Sequence, residues 1–168
     1  QAGGYGAVAE NARNAQDIAG PSDAPAFSIS RADAEFIKKC MAGGRECTVL
    51  LDADTKVVPG AYTYNIVGEI PGENSDRMIL LSGHYDSYFS GFQDDNTAVS
   101  MLIEIGRMLI KSNYKPKNTI ILCAMAAEEW GVINSKYDWS TGAYEEVFTV
   151  HSEWRGKEIA ALNYEIPA

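Results

Sequence analysis

One histidine and several acidic residues follow two apolar segments of the sequence. The segments are ILL at 79–81 and TIILCAMA at 119–126, and the residues behind them are His84, Asp86, Asp94, Asp95, Glu128 and Glu129. Zinc binds imidazole nitrogen and carboxylate oxygen, and two zinc ions about 3.5–4 Å apart need a bridging carboxylate. Acids packed at neighbouring strand ends repel one another unless a cation compensates them. The pattern therefore predicts a metal site.

Each motif alone has a more ordinary explanation. His-x-Asp at 84–86 is often a surface pair, Asp-Asp-Asn at 94–96 is often a turn or a cap, and Glu-Glu at 128–129 often begins a solvated helix. All three occur here in order, each after an apolar strand or before a helix. Their joint occurrence favours the metal site over three unrelated features.

The hydrophobic pattern predicts an α/β fold that gathers these residues at one sheet edge. Residues 78–81 and 118–125 are apolar runs typical of buried parallel strands, and residues 96–112 between them repeat every three or four positions, as in a helix. This strand–helix–strand order predicts a right-handed crossover. The predicted neighbours are strands at 47–57 and 63–70, helical structure from 131 to 154, and a buried strand from 157. Open α/β sheets place chemistry at the carboxyl ends of strands.

The N-terminal third predicts a helix with a defined start and end. Ser30 and Asp33 fit a capping pattern, and Gly43 follows the apolar stripe as a C-cap. Cys40 and Cys47 flank that turn, and they are either a disulfide in an oxidising compartment or two free thiols.

Composition limits the class of protein and its partners. The chain has 168 residues, of which 46% are hydrophobic and 22% charged, as in ordinary globular proteins. Its net charge of −9 argues against nucleic acid and anionic membranes, because both need a basic face. The sequence contains no apolar run of the roughly 18 residues that a transmembrane helix needs, and its N-terminus lacks the pattern of a signal peptide.

The motifs GHYDS, GFQDDNTA and AMAAEEWG resemble those of zinc peptidases of the aminopeptidase and glutamate carboxypeptidase type. The resemblance covers Tyr64 to Glu165 and implies a three-layer α/β/α fold with a mostly parallel sheet and two co-catalytic zinc ions. PAFSISRADAEFIKKCMAGG with the following TVLLDA resembles the end of a protease-associated domain. Residues 1–58 would then be the C-terminal part of such an insert, and residues 59–168 the N-terminal half of a catalytic domain in a longer chain.

The resemblance implies a role for each site residue. His84 would bind one zinc ion, and Asp86 would orient His84. Asp95, rather than its neighbour Asp94, would bridge the two ions. Glu128 would be the general base that takes a proton from a metal-activated water, and the implied further metal ligands are Glu129 and Glu165.

Two features depart from the family pattern. Glu165 stands where the family more often has Asp, and the family's last histidine ligand is not found in the sequence after Glu165. His151 is the only other histidine, and we expect it to be a surface or packing residue.

The function implied is that of a zinc-dependent exopeptidase, aminopeptidase-like, acting on a peptide substrate, and we expect these 168 residues alone to be inactive. Two alternatives stay open: a receptor-like or binding relative on the same fold without catalysis, and a glutaminyl-cyclase-like acyl transferase. The resemblance favours a secreted or cell-envelope location.

Overall fold

The computed structural model describes residues 14–15, 27–50, 52, 60–87, 91–129 and 140–167. The chain divides into two compact units, Gln1–Gly60 and Ala61–Ala168. Within the described ranges, no helix is both long and apolar enough to cross a membrane.

In the part of the first unit that the structure describes, there are two very short strands and one helix. β1 (Asn14–Ala15) pairs antiparallel with β2 (Phe27–Ser28), and α1 spans Arg31–Ala42. The hydroxyl of Ser30 accepts a hydrogen bond from the backbone N–H of Asp33 at 3.1 Å, which satisfies one donor of the first helical turn. The predicted helix and its cap are therefore confirmed.

The strand predicted at 47–57 is not found in the part of it that the structure describes. Residues 47–50 and 52 are outside any strand, and the other positions lie outside the described residues. Leu50 is 92% exposed, so its apolar side chain is not buried as that of a core strand would be. Cys40 and Cys47 are free thiols in the structure.

The second unit is built on a four-stranded sheet. Its strands are β3 (Ile66–Ile70), β4 (Asn74–His84), β5 (Asn118–Met125) and β6 (Glu158–Asn163). Their spatial order is β3-β5-β4-β6, with β3 antiparallel to β5 and the other two pairs parallel. The molecule is therefore an α/β protein with a mixed, mostly parallel sheet.

Helical segments connect the parallel strands. A kinked segment (Phe92–Asn96), whose backbone is non-helical at Asp94 and Asp95, and α2 (Thr97–Lys111) lie between β4 and β5. Of these two, α2 is the helix that the apolar periodicity predicts. Between β5 and β6, the described residues form α3 (Thr141–Glu145), a π-helical turn (Glu146–Val150) and a 3-10 turn (Ser152–Trp154).

Alternate residues of β4 and β5 pack on opposite faces of the sheet, because successive side chains of a strand point to opposite sides. On one face, Leu81 and Ile120 pack with Leu102 of α2. The residues that pack around Trp154 on the other face are Met78, Leu80, Ile121, Cys123 and Met125. Burial on both faces explains why the two central strands read as continuous apolar runs.

The prediction that the last strand is buried is wrong. β6 forms at the expected position, but every one of its residues is exposed. It pairs only with β4 and has no second neighbour among the described residues. Ile159 and Leu162 are 48% and 45% exposed, since a strand that no other described element covers leaves its apolar side chains accessible.

Candidate metal centre

The carboxyl ends of three parallel strands meet at one edge of the sheet. His84 is the last residue of β4 and lies in register with Met125, the last residue of β5. Glu128 and Glu129 lie three and four residues after the end of β5, and Glu165 lies two residues after the end of β6. This topology brings together residues that are far apart in the sequence.

The segment before α2 reaches the same edge because Gly83 permits a close approach. A Cβ atom at Gly83 would lie 2.9 Å from the Cβ of Ala98 and 3.1 Å from Asp95 Oδ2. Any larger residue would push the start of α2 away from β4. Asp94 and Asp95 are therefore held beside His84.

The two ring nitrogens of His84 have different surroundings. Nδ1 lies 2.8 Å from the backbone carbonyl of Asp86, and since a carbonyl only accepts, Nδ1 carries a proton. Nε2 faces four carboxylates within 4.0 Å: Asp94 Oδ1 (3.0 Å), Glu165 Oε1 (3.6 Å), Glu128 Oε2 (3.8 Å) and Asp95 Oδ2 (4.0 Å). In the neutral ring, Nε2 would present its lone pair to a metal ion held by these acids.

Potential ligand atoms form two overlapping groups. In each group, all the atoms lie within 4.8 Å of one another. One group is His84, Asp95 and Glu165; the other is His84, Asp94 and Glu129. A cavity of about 240 Å³ opens beside them and is lined in part by His84, Glu128 and Glu165.

Asp86 links the histidine to the loop that carries the paired glutamates. Its Oδ1 and Oδ2 accept hydrogen bonds from the backbone N–H groups of Glu128 and Glu129, both at 3.1 Å. Burial alone would raise the pKa of Asp86, but the bonds from His84 and from these two N–H groups hold it below its ordinary value. Asp86 therefore stays ionised and fixes both His84 and this loop.

The short distances between the acids shift the pKa values of several residues in the cluster. Burial alone would lower the pKa of His84, but Asp86, Glu128 and Asp95 outweigh burial and raise it to about 10. Burial, together with neighbouring acids, raises the pKa of Asp95 to about 6 and that of Glu129 to about 7. A site that favours protons so strongly is also one where a divalent cation would be stabilised.

The donor set fits zinc. Asp95 is fully buried, and its Oδ1 has no hydrogen-bond partner in the part of the chain that the structure describes. A buried carboxylate oxygen without a partner is costly unless a cation compensates it. One imidazole nitrogen with several carboxylate oxygens is a usual zinc environment.

Every site residue named from the sequence lies in this cluster, including Glu165. The distances, however, favour Asp94 over the adjacent Asp95. Asp94, which the sequence reasoning passed over, has the carboxylate closest to His84 Nε2. The more buried Asp95 uses Oδ2 to accept the backbone N–H of His84 at 3.1 Å. His151 makes its own contacts elsewhere, with Glu153 and Trp154.

The sequence reasoning missed Ser140, whose hydroxyl donates to Glu128 Oε1 at 3.1 Å. It also missed Asn65, which bonds to residues around the ends of β5 and α3. Neither residue lies in a motif that marks it, so no local signal could have identified them.

Comparison with known proteins gives a consistent result. The sequence profile of peptidase family M28 matches residues 65–165. The chain is 35% identical to the probable glutamate carboxypeptidase LAMP1 of Arabidopsis thaliana over 66% of its own length, and 28% identical to the probable leucine aminopeptidase 2 of Aspergillus fumigatus over 68%. It spans only 18% and 22% of the length of these two relatives.

The fold is also similar to that of a solved structure. A glutaminyl cyclase from an Acidobacteriales bacterium superposes with a TM-score of 0.51 at 23% sequence identity, covering 61% of this chain and 37% of that one. At this identity the similarity concerns the fold alone.

Proposed function

Because the chain belongs to peptidase family M28, we propose that it forms part of a zinc-dependent exopeptidase that hydrolyses peptide bonds. The observation that carries the proposal is the convergence of four carboxylates on Nε2 of a single buried histidine. Zinc, when bound, would lower the pKa of a coordinated water and polarise the scissile carbonyl.

The residues that would hold the metal are those of the two overlapping groups. His84, Glu129 and Glu165 are ligands in this proposal, as the sequence suggested. For the bridging carboxylate, the sequence names Asp95, and the geometry adds Asp94 as the stronger candidate. The reason is that Oδ1 of Asp94 lies 3.0 Å from His84 Nε2, whereas Oδ2 of Asp95 lies 4.0 Å from it.

Glu128 is the proposed general base. Ser140 holds its Oε1, and Oε2 points toward His84 Nε2, 3.8 Å away, at the cavity beside the cluster. In this position Oε2 would accept a proton from the attacking water and return it to the leaving amine. Asp86 supports both steps by fixing the backbone of Glu128 and the ring of His84.

The test is a Glu128→Gln variant of the full-length protein. We expect hydrolysis of leucine p-nitroanilide or of an N-acetylated dipeptide by the wild type, and a loss of about 10²–10⁴-fold in kcat in the variant, because a general base contributes about that much. The two substrates separate cleavage from the amino end and from the carboxyl end. Zinc content should stay unchanged, because Glu128 is not a proposed ligand.

Glu104→Gln is the control, since Glu104 lies on the exposed side of α2 and pairs only with Arg107 in the described structure. Full activity in Glu128→Gln would exclude Glu128 as the base. A full-length wild type that binds no zinc and hydrolyses neither substrate would favour the receptor-like alternative. Conversion of an N-terminal glutaminyl peptide to its cyclised product would favour the acyl-transferase alternative.

We also propose, from the sequence resemblance, that residues 1–58 are the C-terminal part of a protease-associated-like insert. The division of the chain into units at Gly60 supports a boundary in this region.

A further inference from the structure

We propose that Asn65 and the buried Glu146 form a positioning pair that sets the position of Glu128 through Ser140. This inference rests on the proposed role of Glu128 as general base. It assigns a function to a buried carboxylate that lies outside the metal cluster and takes no part in the proposed chemistry.

A single amide side chain connects three parts of the second unit. Asn65 lies just before β3, and its Oδ1 accepts the backbone N–H of Ala126 at 2.7 Å. Its Nδ2 donates to the carbonyl of Gly142 at 2.9 Å and to Glu146 Oε2 at 2.7 Å. An amide group has two donor hydrogens, so Asn65 satisfies both acceptors at once. The partners are 61 to 81 positions away in the sequence, so these bonds fix tertiary structure.

Glu146 is held where a carboxylate is costly. It is only 3% exposed, and buried acids are rare unless they are paired. Asn65 satisfies Oε2, and Oε1 lies 3.7 Å from His151 Nε2, whose ring is oriented by Glu153 at 2.7 Å from Nδ1. If Glu146 only filled space, an apolar residue could replace it. The amide donor of Asn65 that pairs with it indicates that the position of this carboxylate is fixed by a specific hydrogen bond.

The segment that the pair holds packs directly on the loop after β5. A Cβ atom at Gly142 would lie 1.7 Å from the carbonyl oxygen of Ala126, so there is no space between α3 and that loop. The backbone N–H of Gly142 donates to Ala127 O at 3.4 Å, and that of Ser140 donates to Glu128 O at 2.8 Å. Residues 140–146 and 126–128 are therefore locked to each other.

Ser140 connects these packed segments to the side chain of Glu128, the proposed general base. Its hydroxyl donates to Glu128 Oε1, which leaves Oε2 directed at His84 Nε2. If the pair is broken, α3 loses its side-chain anchor to the end of β5, although the backbone bonds of Ser140 and Gly142 remain, and Ser140 holds Glu128 less firmly. A misplacement of about 1 Å at a reacting group can lower turnover about 100-fold.

The test uses the zinc-loaded full-length protein. The substrate is leucine p-nitroanilide or the N-acetylated dipeptide, whichever the wild type hydrolyses. Turnover is divided by the concentration of folded, zinc-containing chains. Asn65→Asp puts a second carboxylate against Glu146 and removes the donor to Gly142. We expect kcat to fall about 100-fold with KM and zinc content unchanged. In Asn65→Asp/Glu146→Gln, the new amide donates to the new carboxylate, and kcat should recover by about tenfold.

Two further variants keep the inference testable if Asn65→Asp does not fold. Ser140→Ala removes only the hydroxyl contact and should lower kcat about three- to tenfold, the worth of one hydrogen bond. Glu145→Gln is the matched control, because Glu145 is the exposed neighbour of Glu146, and it should behave as the wild type.

Hydrogen exchange supplies a readout that does not depend on activity. The amides of Ala126 and Gly142 should exchange faster in Asn65→Asp, while those of Leu81 and Ile121 in the central strands should not. Unchanged exchange at Ala126 and Gly142, or full turnover in Ser140→Ala and Asn65→Asp with an active wild type, would overturn the inference and leave the proposed function standing. An inactive wild type would instead overturn the proposed function, and with it the catalytic role of the pair.

Discussion

The metal-free protein should be less stable at neutral pH than at mildly acidic pH. Asp95 is 0% and Glu129 5% exposed, and burial raises their pKa values from 3.8 to about 6 and from 4.5 to about 7. Between about pH 4 and about pH 7, the folded state therefore holds protons that the unfolded chain has released, and the free energy of unfolding falls as pH rises. The pKa of His84, raised from 6.5 to about 10, gives the same sign at higher pH.

The size of the effect follows from these values. A tenfold change in a protonation equilibrium is worth about 1.4 kcal/mol, so each buried acid destabilises the metal-free folded state by roughly 3 kcal/mol at neutral pH. For a domain of this size, a change of about 1 kcal/mol moves Tm by about 2–4 °C. Because part of the change falls below pH 5, we expect Tm to be at least about 5 °C higher at about pH 5 than at about pH 7.5.

The assay is thermal unfolding of the full-length protein after dialysis against EDTA, followed by circular dichroism at both pH values. Added zinc should raise Tm more at the higher pH, since protons compete for the same ligands at the lower pH. Glu129→Gln should reduce the pH dependence, whereas Glu104→Gln on the exposed side of α2 should leave it unchanged. A metal-free Tm that is equal or higher at about pH 7.5 would refute the reasoning.

Two substitutions at the start of α2 test the geometry of the cluster. Asp94→Asn should weaken zinc binding more than Asp95→Asn does. For Asp95→Asn we expect a loss of affinity of about 10–100-fold, as for a group that orients a ligand. Isothermal titration of both variants with zinc measures the two affinities, and the opposite ranking would restore Asp95 as the bridging ligand. Gly83→Ala places a Cβ 2.9 Å from that of Ala98 and should cost about 1–3 kcal/mol of stability, so an unchanged urea midpoint would show that α2 can move away freely.

Local patterns in the sequence predicted the elements that carry most of the site. The repeat of apolar residues between Asn96 and Ser112 specified α2, and the apolar run from Asn118 to Met125 coincides with β5. These predictions succeed because burial on a helix face or on both sides of a strand imposes a period that a short segment records. The polar residues that follow each run could then be placed at strand ends.

Long-range packing decided what the sequence pattern left open. β6 has the apolar composition of a buried strand, yet its residues are all exposed and it lies at the edge of the sheet that the described residues form. Its burial depends on neighbouring elements rather than on its own residues. The nearer approach of Asp94 to His84 depends on how the turn before α2 meets β4 at Gly83.

By itself, the sequence determined which residue types stand at the ends of which strands, and therefore that His84 and the acids of the cluster could meet around a metal. Only the tertiary structure decided which oxygen faces Nε2, and only it joined Asn65 to Glu146 across 81 positions. The physical reason is the distance along the sequence between the residues that interact. Periodic burial is recorded within one element, whereas a hydrogen bond between distant side chains exists only after the sheet and its helices have packed.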